Sequence, residues 1–161
     1  MHTSRLRGGA KSSADSATAC AVVQFSCMLI VPAGAFAYRI TNPPIAWKPY
    51  SAEAVAEAKA KKRVVMLEFT AAWCGNCLAL ESTVFHDERS VKAIKEADAV
   101  AFRVDLTKKD APGWKLLKEL SPVAAIPFTA VFPANGGEPM KLTGVYSVDD
   151  LTSAMGQATG K

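Results

Sequence analysis

One stretch constrains this chain more than any other: "VVMLEFTAAWCGNCLALE", residues 64–81. An apolar run broken by a single glutamate is cut by "TAA", and two cysteines with two residues between them follow almost at once. A short, nearly continuous apolar run is the pattern of a strand covered on both faces. The fold must therefore bury that strand inside a sheet and present a Cys-x-x-Cys where the chain turns into the next element.

The remainder repeats the alternation. Ser51 caps "AEAVAEAKAKK", a helix with Glu53 in its first turn and Lys61 and Lys62 in its last. Helices are expected over residues 74–84 and 87–97, and from Pro112 through "GWKLLKELS". "AVAFRVDLT" and "IPFTAVFP" read as further buried strands. "ANGG" reads as a hairpin turn and "EPMKLTGVY" as its return strand, before a last helix capped by Ser147. Strands alternating with helices, closed by a hairpin and a helix, give an α/β sheet with helices on both faces.

Half of the 161 residues are hydrophobic, enough for one domain with a full core. The formal charge of +4 is unevenly placed. Arg5, Arg7, Lys11 and Arg39 stand against Asp15 alone before residue 41, and the rest is close to neutral. The domain thus has no nucleic-acid footprint. The charge belongs to a leader, residues 1–40, with no charged residue between Asp15 and Arg39. Its apolar run, "ACAVVQFSCMLIV", ends at Pro32 and Gly34, and "AFA" follows with small residues where a signal peptidase cuts. A cleaved signal peptide fits these breakers. An uncleaved anchor through residues 17–38 fits the length of the charge-free span. Either way the positive end stays in the cytoplasm and the domain is exported. Cys20 and Cys27 read as small apolar residues of the leader. Residues 41–50, with three prolines, form a linker that docks Trp47 and Tyr50 on a domain spanning residues 51–161.

The cysteine pair admits three uses. As a staple it would close a tiny loop, worth roughly 2 kcal/mol by the chain-entropy estimate. A structural zinc site needs four ligands, and beyond the leader the chain adds only His86, so no metal is expected. The third use is redox. Cys74, in the first turn of a helix behind a buried strand, would have its thiolate stabilised by free backbone N–H groups and the helix dipole. Cys77, one turn on, is close enough to bond it.

"FTAAWCGNC" and "AAIPFTAVF" together resemble the two signature stretches of the thioredoxin fold, a central mixed sheet with helices on both faces. Within it, "VVMLEFTAAWCGNCLALESTVFHDERSVKAI" is similar to the C-terminal domain of the thiol:disulfide interchange protein DsbD, the likeness running over residues 47–155. Three departures stand out. The sequence lacks the transmembrane bundle and N-terminal domain of the full interchange protein. Gly75-Asn76 is neither the Gly-Pro of thioredoxin nor the Pro-His of a strong oxidant. Glu68 replaces the usual aspartate.

The resemblance implies a role for each site residue. Cys74 would be the nucleophile and Cys77 the resolving thiol. Glu68, a carboxylate in an apolar strand, would lie under the cysteines and take the Cys77 proton, unless it reaches water at a strand end. Glu81, four residues after Cys77, would keep Cys74 protonated or be a solvated helix charge. Pro127 would follow a cis bond from Ile126, whose backbone would pair with an extended substrate. Trp73, Gly75 and Asn76 would complete the substrate surface, with Trp73 either shielding the pair or only packing.

The expected protein is a monomeric, cofactor-free, extracytoplasmic (periplasmic) thiol:disulfide oxidoreductase. It would pass electrons to protein disulfides, reductively, from a membrane electron donor. Cytochrome c maturation factors and disulfide isomerases are both possible acceptors by analogy. The absence of a histidine between the cysteines argues against a strong oxidant. The alternatives are a disulfide-forming or isomerising oxidase, and a redox-inactive thioredoxin-like binding or chaperone module.

Overall fold

The computed structural model describes residues 45–160. The expected leader, its cleavage or anchoring, and the first residues of the linker lie outside them. Among the described residues no helix is long and apolar enough to cross a membrane.

The elements are β1 (Lys48–Pro49), α1 (Ala52–Ala60), β2 (Val65–Thr70), α2 (Gly75–Leu80) running into a π-helical turn (Glu81–Phe85), α3 (Glu88–Glu96), β3 (Val100–Asp105), α4 (Gly113–Leu120), β4 (Phe128–Phe132), β5 (Met140–Thr143) and α5 (Val148–Ala158). The five strands form one mixed sheet in the order β1-β3-β2-β4-β5. β3 lies parallel to both β1 and β2, while β4 runs antiparallel to β2 and β5. β2 and β3 are central, which is why both read as continuous apolar runs.

Period-two alternation sends the residues of β2 to two separate cores. Val65, Leu67 and Phe69 pack with Phe102, Val104, Val55 and Leu117 on the α1 and α4 face. Val64 and Met66 pack with Leu80, Phe85, Ile94, Leu151 and Met155 under α2, α3 and α5. Gly113 opens α4 where a Cβ would sit 2.3 Å from Val104 Cγ1, so only glycine allows this approach to β3.

The structure departs from the sequence expectations at four places. The expected linker is in part a strand: Lys48 and Pro49 pair with Phe102 and Arg103, and Tyr50 N–H donates to Arg103 O at 3.1 Å. Proline is tolerated there because β1 is an edge strand. Cys74 precedes α2 as its N-cap instead of lying in its first turn. The helix expected over residues 74–84 widens into the π turn at Glu81. There the Ser82 and Thr83 hydroxyls both donate to Ala79 O and compete with the α-helical ladder. The "ANGG" turn is present, with Gly136 at φ +81°, but it sits in a connection over residues 133–139, and the return strand is only four residues long. Gly144, at φ +70°, follows the end of that strand.

Candidate active site

The cysteines lie at the carboxyl ends of the parallel strands β2 and β3. Cys74 N–H donates to Ala71 O at 3.0 Å, closing the turn that leaves β2. A bracket from β3 holds this turn. Asp105 accepts from Thr107 N–H and Oγ1, and Thr107 Oγ1 in turn accepts from Ala72 N–H at 2.9 Å. The bonds to Thr107 also hold the Asp105 carboxyl below its ordinary range. Neither residue stands out in the sequence, because their effect requires the ends of two strands to meet.

Cys74 and Cys77 are joined by a disulfide with Cα atoms 5.3 Å apart. Cys74 Sγ accepts the Cys77 N–H at 3.2 Å, so the first sulfur caps the helix. Cys74 is 7% exposed and Cys77 1%, which leaves the first sulfur as the accessible one. Gly75 and Asn76 are exposed beside it. Trp73 is 62% exposed and its indole N–H donates to Thr107 O at 3.3 Å, so it is a surface side chain and not a core one. The Ile126–Pro127 bond is cis. Pro127 is buried, Ile126 is half-buried, and Ile126 packs on the cluster that contains both cysteines.

Glu68 lies on the opposite face of β2 from Phe69, and it is 2% exposed. Its partner is Arg103, directly across the parallel ladder, whose Nε donates to Glu68 Oε2 at 3.1 Å. The other arm of the same guanidinium donates to Glu81 Oε2. Glu81 is half-buried, and its other oxygen is 3.9 Å from His86 Nε2. The Glu68 carboxyl is raised to about 7: burial pushes it up most, Arg103 opposes the rise, and Glu81 adds to it. A carboxyl titrating there can both accept and return a proton near neutrality.

Thus the structure joins the two predicted carboxylates through a residue that sequence reasoning passed over. One signal could have found Arg103: it is the lone charge within the apolar start of its strand, as Glu68 is within its own.

A family model described as thioredoxin-like matches residues 46–134, more than half of the chain. The chain belongs to the thioredoxin-like family. Thiol:disulfide interchange protein DsbD of Campylobacter jejuni is 34% identical over 95 residues, 59% of this chain and 16% of that protein. The DsbD of Ralstonia nicotianae is 35% identical over 109 residues, 67% of this chain and 17% of that protein. The chain therefore spans about a sixth of the length of these relatives. Among solved structures, the oxidised C-terminal domain of Neisseria meningitidis DsbD matches with a TM-score of 0.56 at 21% identity, covering 70% of this chain and 99% of that domain. A thioredoxin from Thermus thermophilus matches with a TM-score of 0.55 at 26% identity, covering 71% and 86%. A thioredoxin-like domain with a bonded Cys-x-x-Cys at a strand–helix junction carries thiol–disulfide oxidoreductase chemistry.

Proposed function

We propose that this protein is an exported, periplasmic thiol:disulfide oxidoreductase working in the reductive direction, as a monomer without a cofactor. The observation that carries the proposal is the Cys74–Cys77 disulfide, in which Cys77 is wholly enclosed and Cys74 keeps a small exposure beside the exposed Gly75 and Asn76. The basic, then apolar leader supports export. The Gly75-Asn76 dipeptide supports a reductant, since it brings no histidine to stabilise the Cys74 thiolate.

In the reduced protein, the Cys74 thiolate attacks a partner disulfide. A Cys74–partner bond forms, the partner S–S bond breaks, and one partner sulfur leaves as thiolate. Cys77 then gives its proton to the Glu68 carboxylate and attacks Cys74 Sγ. The Cys74–Cys77 bond forms, and the second partner sulfur leaves with the electron pair. Two electrons have passed to the partner, Glu68 returns its proton to the leaving thiolate or to water, and the protein is left in the bonded state seen here. A dithiol donor on the membrane side resets it by the same exchange in reverse. Trp73 and the Ile126 backbone, with Pro127 holding the loop, receive the extended partner segment.

The test is the reduction potential of the Cys74–Cys77 couple, measured by equilibration in thiol–disulfide buffers. A value below roughly −180 mV, more reducing than a protein disulfide isomerase, is expected. A value near that of a strong periplasmic oxidant, roughly −120 mV, would replace the reductive reading with the oxidative one.

A further inference from the structure

We propose that Arg103 is a positioning residue for the thiol chemistry: its one guanidinium holds the Glu68 and Glu81 carboxylates together and keeps Glu68 available as a proton acceptor. The inference rests on the reading of Glu68 as the acceptor of the Cys77 proton.

The geometry has three parts. First, the guanidinium bridges two elements, reaching Glu68 on β2 through Nε and Glu81 on the π turn through its terminal nitrogen. Two carboxylates on separate elements are thereby drawn to one cation. Second, Arg103 is itself held. Its backbone is paired on both sides, to Glu68 in β2 and to Pro49 in β1, and its carbonyl accepts from Tyr50 N–H. Third, the Trp47 ring lies 4.5 Å from the guanidinium carbon, and Trp47 is fixed edge-on against Phe85 at 5.2 Å. The cation is thus sandwiched between an aromatic ring and the carboxylates, with about a third of its side chain exposed.

The charges facing Glu68 make the consequence definite. Arg103 faces it from β3, and Glu81, with His86 behind it, faces it from the π turn. Beside it on β4 is Thr129, whose hydroxyl shares a 2.7 Å bond with Tyr146 OH ahead of α5. Burial and Glu81 both favour the protonated form of Glu68; Arg103 is the cation that opposes them. Without it, Glu68 would already hold a proton at neutral pH and could not receive the one Cys77 must lose. Lysine cannot fully replace it, because a single ammonium does not offer the fork that spans two carboxylates.

The test loads Cys74 of the full chain with 5-thio-2-nitrobenzoate and follows its release as Cys77 attacks, across pH. In the parent protein the rate should show an inflection belonging to Glu68, identified by its loss in Glu68→Gln. In Arg103→Gln that inflection should move up by one pH unit or more, with release at pH 7 slowed by about tenfold. Arg103→Lys should fall between, and it keeps the test open if the glutamine variant does not fold. Glu81→Gln should move the inflection down, since it removes a like charge and frees the guanidinium for Glu68. Infrared spectroscopy gives an independent readout: the carboxylic-acid band lost in Glu68→Gln should persist to higher pH in Arg103→Gln. If the arginine variants keep the parent inflection and band while Glu68→Gln loses them, Glu68 remains the acceptor and Arg103 is structural only. If Glu68→Gln keeps the inflection, the acceptor reading fails and the role of Arg103 falls with it.

Discussion

The two faces of the sheet are formed by the same strands, yet they are built on different chemistry. On the α1 and α4 face, β2 and β3 offer Leu67, Phe69, Phe102 and Val104 to a core without charge. On the other face, the same strands offer Glu68 and Arg103, with Thr129 and Tyr146 continuing the polar row. The first face gains stability from area removed from water. The second gives up some of that gain to keep an ionisable group away from water, where its proton affinity can be tuned. A single residue step along β3, from Phe102 to Arg103, crosses from one regime to the other.

The largest effect is expected on the uncharged face at Phe102, which is 1% exposed. Phe102→Ala should cost about 4 kcal/mol in urea unfolding, because a buried ring leaves a cavity. It should leave the pH inflection of thiol release where it is. A shift of that inflection would show that the dry face also tunes the chemistry.

On the polar face the larger effect is one of pH. The Glu68 carboxyl sits at about 7 against its ordinary 4.5, so between these values the folded protein holds a proton that the unfolded chain has released. Stability should therefore fall as pH rises through that window, by roughly 3 kcal/mol, and stay lower above it. Glu68→Gln should lack this slope, as measured by unfolding free energies from pH 4 to pH 8. An unchanged slope would mean that Glu68 does not carry the raised affinity.

The smallest effect is expected at the hydrogen bond between Thr129 and Tyr146. Tyr146→Phe removes the hydroxyl bonded to Thr129 and keeps the ring beside Phe85. It should cost about 1 kcal/mol, the net worth of one hydrogen bond. A loss as large as that of Phe102→Ala would show that the polar row is a structural element like the dry core.

Much of the site was legible in the sequence, for reasons that differ by residue. Cys74 and Cys77 are set by local spacing, and Pro127 by the resemblance of "AAIPFTAVF" to the second signature stretch of the thioredoxin fold. Glu68 was legible as a misfit, since a carboxylate in a buried run needs a reason. Arg103 was not, because its meaning depends on the register that sets it opposite Glu68, 35 residues away. The π turn was hidden for a similar reason. Ser82 and Thr83 look like ordinary helix-surface residues until their hydroxyls are seen on Ala79 O. The strand β1 was hidden because two residues carry no periodicity of their own and pair only where β3 leaves an open edge.

The order of the longer strands and helices, the burial of β2 on both faces and the place of the dithiol at the end of a strand are written in the sequence. These follow from short-range patterns, which survive in any conformation of the neighbours. The raised proton affinity of Glu68 is instead a property of the assembled fold. Proton affinity depends on desolvation and on charges brought close in space, and the guanidinium that joins Glu68 to Glu81 comes from a strand that meets them only when the sheet is assembled.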